Sequence, residues 1–143
     1  MSTFRPEIDP AELMRRGQGH LPGFLGIEIV AVAAGKITLR LPLGQEHLAP
    51  NGFLHGATVV ALADTACGYG VLAHMPQGAS NFTTVELKTN YLGTVREGSI
   101  VCDATPAHLG RSTQVWDAEV RDEADGKRLA LFRCTQMILW PRA

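Results

Sequence analysis

Cysteine is scarce and poorly placed for crosslinking: there are three in 143 residues, an odd number with no CxxC pair. Cys67, Cys102 and Cys134 each lie inside an apolar segment, which argues against a disulfide framework and for reduced core residues of a cytosolic protein. Charge of neither sign is in excess. Thirteen basic residues against fourteen acidic ones leave a net charge of -1, and no basic stripe with interleaved aromatics is present, so nucleic acid is not an expected partner. The opening MSTFRPEIDP has no apolar signal region, so secretion is not indicated and a cytoplasmic location is expected. Internal repeats and low-complexity tracts are also missing. At this length the chain suits one domain, 1–143, large enough to bury one fully enclosed helix.

What is present is organised around His47 to Met75, HLAPNGFLHGATVVALADTACGYGVLAHM, where turn chemistry runs into a stretch that is apolar almost all round. A helix with that pattern needs a buried position on every side. From His55 to Ala73 it would be about 28 Å long, close to a membrane thickness. Asp64 at its middle, Thr58 and Thr65 flanking it, Gly68 and Gly70 at the far end, and no Lys or Arg cluster at either edge favour a soluble core helix over a membrane span. Asp64 is the residue that most demands an explanation, because a buried charge is costly unless something pairs with it.

Around this helix the chain divides clearly. Asp9 and Pro10 read as the cap and first turn of a short helix ending at Gly17, within an N-terminal helical extension of about residues 1–24. His20 to Phe24, with Pro22 and Gly23, reads as loop. Leu25 to Val32 reads as a strand, Ala34-Gly35 as a turn, and Lys36 to Leu41 as a strand with one wet face. Four alternating strands follow the helix. In the first, Val85, Leu87 and Tyr91 oppose Glu86, Lys88 and Asn90, which puts Thr84 on the face away from Val85 and Leu87. Gly93 to Gly98 turns into the second, with Ile100, Cys102 and Ala104 inward. His108 to Arg111 forms the next turn, Trp116, Ala118 and Val120 alternate in the third strand, and Asp125-Gly126 is a hairpin signal before the last, Arg128 to Leu139. Six antiparallel strands curled round one long helix, an α+β arrangement, bury that helix economically.

Pro50-Asn51-Gly52 is turn chemistry, and after it His55-Gly56-Ala57 would expose free N–H groups at the positive end of the helix. An oxyanion fits there. His47 and His55 have no acidic partner at ligand spacing, so no metal is expected. By environment alone, Asp64 could be a structural carboxylate paired with a neighbouring chain, His55 could orient the turn, and Arg111 could be a solvated charge.

The runs HLAPNGFLHGATVVALADTA, TTVELKTNYL and GRSTQVWDAEVRDEADGKRLA resemble the hotdog-fold acyl-CoA thioesterases of the phenylacetate-degradation (PaaI-like) branch. The family pattern is close to H-x-N-x-x-G-x-x-H-G-G followed by L-x-D, and the resemblance extends from about residue 25 to residue 139. It implies that His55 and Gly56 are the family's HG pair, with the Gly56 N–H donating to the thioester carbonyl, and that Asp64 is the catalytic carboxylate. Thr84 corresponds to a Ser/Thr that holds the attacking water, and Gly110, Arg111 and Ser112 to a turn near coenzyme A phosphates. Ala49 stands where the family has Asn and Ala57 where it has a second Gly; Asn51 is near enough to substitute as the site's polar group.

The implied activity is hydrolysis of an acyl-CoA thioester, aryl-acetyl or medium-chain, to free acid and coenzyme A. Asp64 would act as nucleophile or general base, with no cofactor beyond the coenzyme A of the substrate. The alternatives are a hotdog acyl-CoA hydratase or dehydratase, whose catalytic Asp and His lie just before or early in the long helix, and a non-catalytic acyl-CoA-binding module. Because His55 and Asp64 are separated by about 13 Å of helix, the site is expected to be shared between two chains of an obligate homodimer, assembled into a homotetramer.

Overall fold

Asp9 caps the first helix as its pattern predicts, its side chain accepting the Glu12 N–H at 2.8 Å. The computed structural model describes residues 4–143, and the first three residues of the N-terminal extension lie outside them. Helix α1 spans Pro10–Gly17. The segment expected to be loop instead forms a second short helix, α2 (Leu21–Leu25). Pro22 sits in its first turn, where proline suits a helix, and Gly26 closes it in the left-handed region at φ 84°. The first strand is therefore shorter than its apolar run suggests, because Leu25 belongs to the helix.

The strands are β1 (Glu28–Ala33), β2 (Lys36–Pro42), β3 (Asn81–Tyr91), β4 (Ser99–Leu109), β5 (Thr113–Asp122) and β6 (Arg128–Leu139). They form one antiparallel sheet in the order β1-β2-β4-β5-β6-β3. The long helix α3 (Gly56–Ala73) lies on its inner face. Ile37, Leu39 and Leu41 of β2, Ile100, Cys102 and Ala104 of β4, and Trp116, Ala118 and Val120 of β5 supply that face, each strand alternating inward and outward as predicted. His108 and Leu109 belong to β4, so the β4–β5 turn is reduced to Gly110–Ser112.

Two expectations need correction. The helix is not enclosed on every side within one chain: Val60, Ala61, Asp64, Thr65, Gly68 and Leu72 form a half-buried stripe along it. The alternation of β3 is also broken by a bulge between Thr84 and Glu86. A bulge puts one extra residue into the strand and reverses the facing of everything beyond it. Thr84, opposite Gln136, and Leu87, opposite Cys134, consequently share the inner face.

Helix and sheet are locked at the far end of α3 by His74. Its buried ring donates from Nδ1 to the Gly70 carbonyl (2.8 Å) and accepts the Gly35 N–H at Nε2 (2.9 Å). That pairing requires the neutral ring, and burial pushes the His74 pKa down accordingly. Close by, Gly70 lets the fully buried Trp116 pack against the helix backbone, and a Cβ at position 70 would lie 2.5 Å from its ring. The indole cannot swing away freely, since Nε1 donates to Gln114 Oε1 at 2.8 Å. Gly70→Ala should therefore be a net loss despite alanine's better helix propensity, worth about 1 kcal/mol. We expect a cost of about 1–2 kcal/mol overall, visible as a lower urea midpoint with an unchanged slope.

Candidate active site

The entry to α3 is a small hairpin. Leu48 bridges Leu54, Ala49 and Phe53 pair through a 2.7 Å hydrogen bond from N–H to carbonyl, and Gly52 turns the tip at φ 85°. Asn51 Oδ1 accepts the Phe53 N–H at 3.1 Å, so this side chain builds the turn, as asparagine does in an Asx turn. Beneath it, the His47 carbonyl accepts from both the His55 N–H (3.1 Å) and the Thr58 hydroxyl (2.8 Å). His47 itself is buried, taking the Gly44 N–H on Nδ1 at 2.8 Å and donating from Nε2 to the Leu25 carbonyl at 2.7 Å. The loop is thus pinned from below, and it delivers His55 as the N-cap of α3.

His55 caps by accepting the Ala57 N–H on Nδ1 at 2.9 Å. The expectation of several free N–H groups is corrected here, since His55 has taken one of them. The Gly56 N–H has no acceptor among the described residues and remains at the positive end of the helix. The Gly56 carbonyl is held by the Tyr91 hydroxyl at 2.9 Å, and a Cβ on residue 56 would come equally close to that oxygen. Glycine is what permits the contact. Tyr91 is a neighbour that sequence patterning does not single out beyond its place in an alternating strand.

Asp64 projects from the half-buried stripe of α3. Its carboxyl is raised above the ordinary value by burial, partly offset by the Thr84 hydroxyl 3.3 Å from Oδ1. The β3 bulge is what brings Thr84 there, within the same chain. The expected orientation, with Thr84 facing outward toward another subunit, is therefore wrong, because simple alternation fails at the extra residue. Thr84 also lies 3.0 Å from Oε1 of the fully buried Gln136. Sequence patterning passed over Gln136, although a polar residue at an inward position of β6, between Cys134 and Ile138, is a readable signal.

The third group stands apart. Gly110 N–H bonds to the Thr113 carbonyl at 2.9 Å, Ser112 accepts the Ile138 N–H at 2.9 Å, and the Arg111 guanidinium lies 4.2 Å over the Trp140 ring. Stacking pre-orders this exposed cation. The chain alone brings Asp64 and Thr84 together, and His55 and Gly56 together, but the two pairs are separated by about 12 Å of helix.

A profile of the thioesterase superfamily matches residues 51–128. The 1,4-dihydroxy-2-naphthoyl-CoA hydrolase of Listeria monocytogenes is 35% identical, over 78% of this chain and 89% of that one. The chain belongs to the thioesterase superfamily. Among solved structures, a mutant thioesterase from Pseudomonas aeruginosa superimposes with a TM-score of 0.90 at 27% identity, covering 95% of this chain and 97% of that one. The Escherichia coli PaaI protein of the phenylacetic acid degradation operon has the same fold, with a TM-score of 0.79 at 24% identity and 91% of each chain covered. This thioesterase is thus a thioester hydrolase with the hotdog architecture, and the tip of the hairpin from Asn51, the start of α3 and Asp64 all fall within the matched span.

The raised pKa of Asp64 has a consequence for stability. Between the ordinary carboxyl value of 3.8 and its folded value, the native thioesterase binds more protons than the unfolded chain, so folding is favoured by this group at low pH and loses that contribution as pH rises through the folded pKa. Asp64→Asn should accordingly be at least as stable as the parent at pH 7. In thermal melts across pH, any advantage should shrink as the pH falls below the ordinary carboxyl range.

Proposed function

We propose that this thioesterase hydrolyses an acyl-CoA with an aromatic acyl group, aroyl or arylacetyl, in preference to a medium-chain one. The observation that carries the reaction is Asp64, a half-buried carboxylate set in an apolar helix whose start presents the Gly56 N–H. The names of the Listeria monocytogenes relative and of an Escherichia coli relative, 30% identical over 95% of this chain, both 1,4-dihydroxy-2-naphthoyl-CoA hydrolases, support an aromatic acyl group. Hydrolysis develops negative charge on the thioester oxygen, and a donor aimed at that oxygen is worth about 3 kcal/mol. Gly56 supplies the donor. Either Asp64 attacks the carbonyl carbon, expelling the coenzyme A thiolate and forming an anhydride that water then cleaves to free acid, or Asp64 takes a proton from a water that attacks the carbonyl as the thiolate leaves. Retention of heavy oxygen from labelled water in Asp64 after many turnovers distinguishes the covalent route.

Because Gly56 and Asp64 of one chain are too far apart to meet at one carbonyl, the donor in each site comes from one chain and the carboxylate from another. The sheet edge supports such pairing. Strand β3 has no neighbour on its outer side and exposes Val85, Leu87 and Tyr91, with Leu92 exposed just after it, beside the half-buried stripe of α3. An unpaired apolar edge of this kind is a template for a second chain. The cytoplasmic homodimer, and the tetramer built from it, belong to this proposal, as does Arg111 on its Trp140 platform as a contact for coenzyme A phosphates.

The test is a panel of aroyl-, arylacetyl- and medium-chain acyl-CoAs with a thiol reagent. Thiol release is expected, fastest with the aromatic substrates. Hydration of an enoyl-CoA without thiol release, or tight binding without turnover, would replace the proposal with a hydratase or a binding module. Asp64→Asn is expected to lower kcat at least about 100-fold with little change in substrate binding. Mixing Asp64→Asn with Gly56→Val under subunit exchange should restore activity, since a mixed dimer holds one intact site; activity that stays absent would confine each site to one chain.

A further inference from the structure

Thr84 has one hydroxyl proton and two acceptors competing for it, Asp64 Oδ1 at 3.3 Å and Gln136 Oε1 at 3.0 Å. The shorter contact is to the amide. With the Thr84 proton given to Gln136, Oγ1 is left as an acceptor toward Asp64, a contact that suits the protonated acid. Behind it, Gln136 Nε2 donates to Cys134 Sγ at 3.3 Å, a weak acceptor for a strong donor. Rotating the buried amide by half a turn exchanges every role. Nε2 then donates to Thr84 Oγ1, the Thr84 hydroxyl donates to Asp64, and the Cys134 thiol donates to Oε1. That second arrangement suits the carboxylate and leaves none of these groups unpaired.

We propose that Gln136 is a positioning residue for the hydrolysis, matching the single Thr84 hydroxyl proton to the protonation state of Asp64 by rotation of its buried amide. The inference rests on the proposed role of Asp64. The groups facing this carboxyl are Thr84 from β3, Cys134 from β6 and Cys67 one turn along α3, with Glu86 beyond the bulge held by the Thr135 hydroxyl at 2.6 Å. Burial raises the Asp64 carboxyl and the Thr84 hydroxyl lowers it, and Thr84 is the hydrogen-bond partner of this carboxyl among the described residues.

The experiment follows the Asp64 carboxyl carbon by NMR in protein made with carboxyl-labelled aspartate, assigned by its loss in Asp64→Asn, together with the acid limb of kcat against pH. Gln136→Met removes both amide groups at similar volume and leaves Asp64 as the sole acceptor for Thr84. The titration midpoint of Asp64 is expected to fall by about half a pH unit or more. In a Thr84→Val background the same change should move the midpoint by less than about half as much, because the relay has lost its middle member. Equal shifts in both backgrounds, or none in either, would overturn the proposal. Should Gln136→Met fail to fold, Gln136→Glu keeps length and polarity. Its carboxyl contests the same proton and should raise the midpoint, an effect that diminishes with Thr84→Val; an undiminished rise would also overturn it. The NMR midpoint reads the relay whether or not Asp64 is catalytic, so a midpoint that moves as expected while the kcat limb stays fixed supports the relay and removes Asp64 from the reaction.

Discussion

The structure depends on finding cover for a helix with no polar face. Helix α3 is apolar almost all round, and in water each uncovered side chain costs about 25 cal/mol for every Å² of apolar surface. The sheet answers by presenting the inner rows of β2, β4 and β5 to it, so that Leu62, Ala63, Ala66 and Val71 are buried together with Trp116. Small residues on the helix set how closely the two approach. At Gly70 the Trp116 ring occupies the space a Cβ would need, and the buried His74 fastens the end of the helix to the β1–β2 turn.

The chemistry occupies what this packing leaves over. The sheet covers most of α3 but not the stripe that holds Asp64, and at the first turn it touches the helix through Tyr91 on the Gly56 carbonyl, which leaves the Gly56 N–H free. A carboxyl on a half-buried stripe is desolvated enough to be raised in pKa yet accessible to a substrate. An N–H at a helix start can be aimed at an oxyanion without rearrangement during reaction. The two are spaced along one rigid rod, and the geometry of the rod turns that spacing into a requirement for a second helix. The same stripe and the open edge of β3 form the apolar surface that a second chain would cover.

Polar groups inside the sheet follow a different logic. Thr84, Gln136, Cys134 and Cys67 run from the carboxyl into the core as a chain of modest donors and acceptors, with Gln114 and Trp116 paired beside them. Burying such groups is costly unless each finds a partner. The β3 bulge makes the arrangement possible, because it delivers Thr84 to the inner face while leaving Leu87 there as well.

Much of this was legible in the residues alone. Periodicity marked the long helix and the alternating strands, the caps marked where α1 begins and ends, and one carboxylate in an apolar run marked Asp64, because these signals depend only on neighbours along the chain. The turn sequence likewise pointed to Gly56. What the sequence could not contain was any event that depends on a partner strand. A bulge at Val85 obeys the pairing of β3 with β6 and reverses a facing that alternation had assigned. The capture of the Ala57 N–H by His55 depends on how His47 and the hairpin set that ring. Leu21–Leu25 became a helix through its docking and its Gly26 cap, in a segment whose proline and glycine read locally as loop. Tertiary structure alone placed Gln136 behind Thr84, since fifty-two residues of chain separate them and only the sheet brings them side by side.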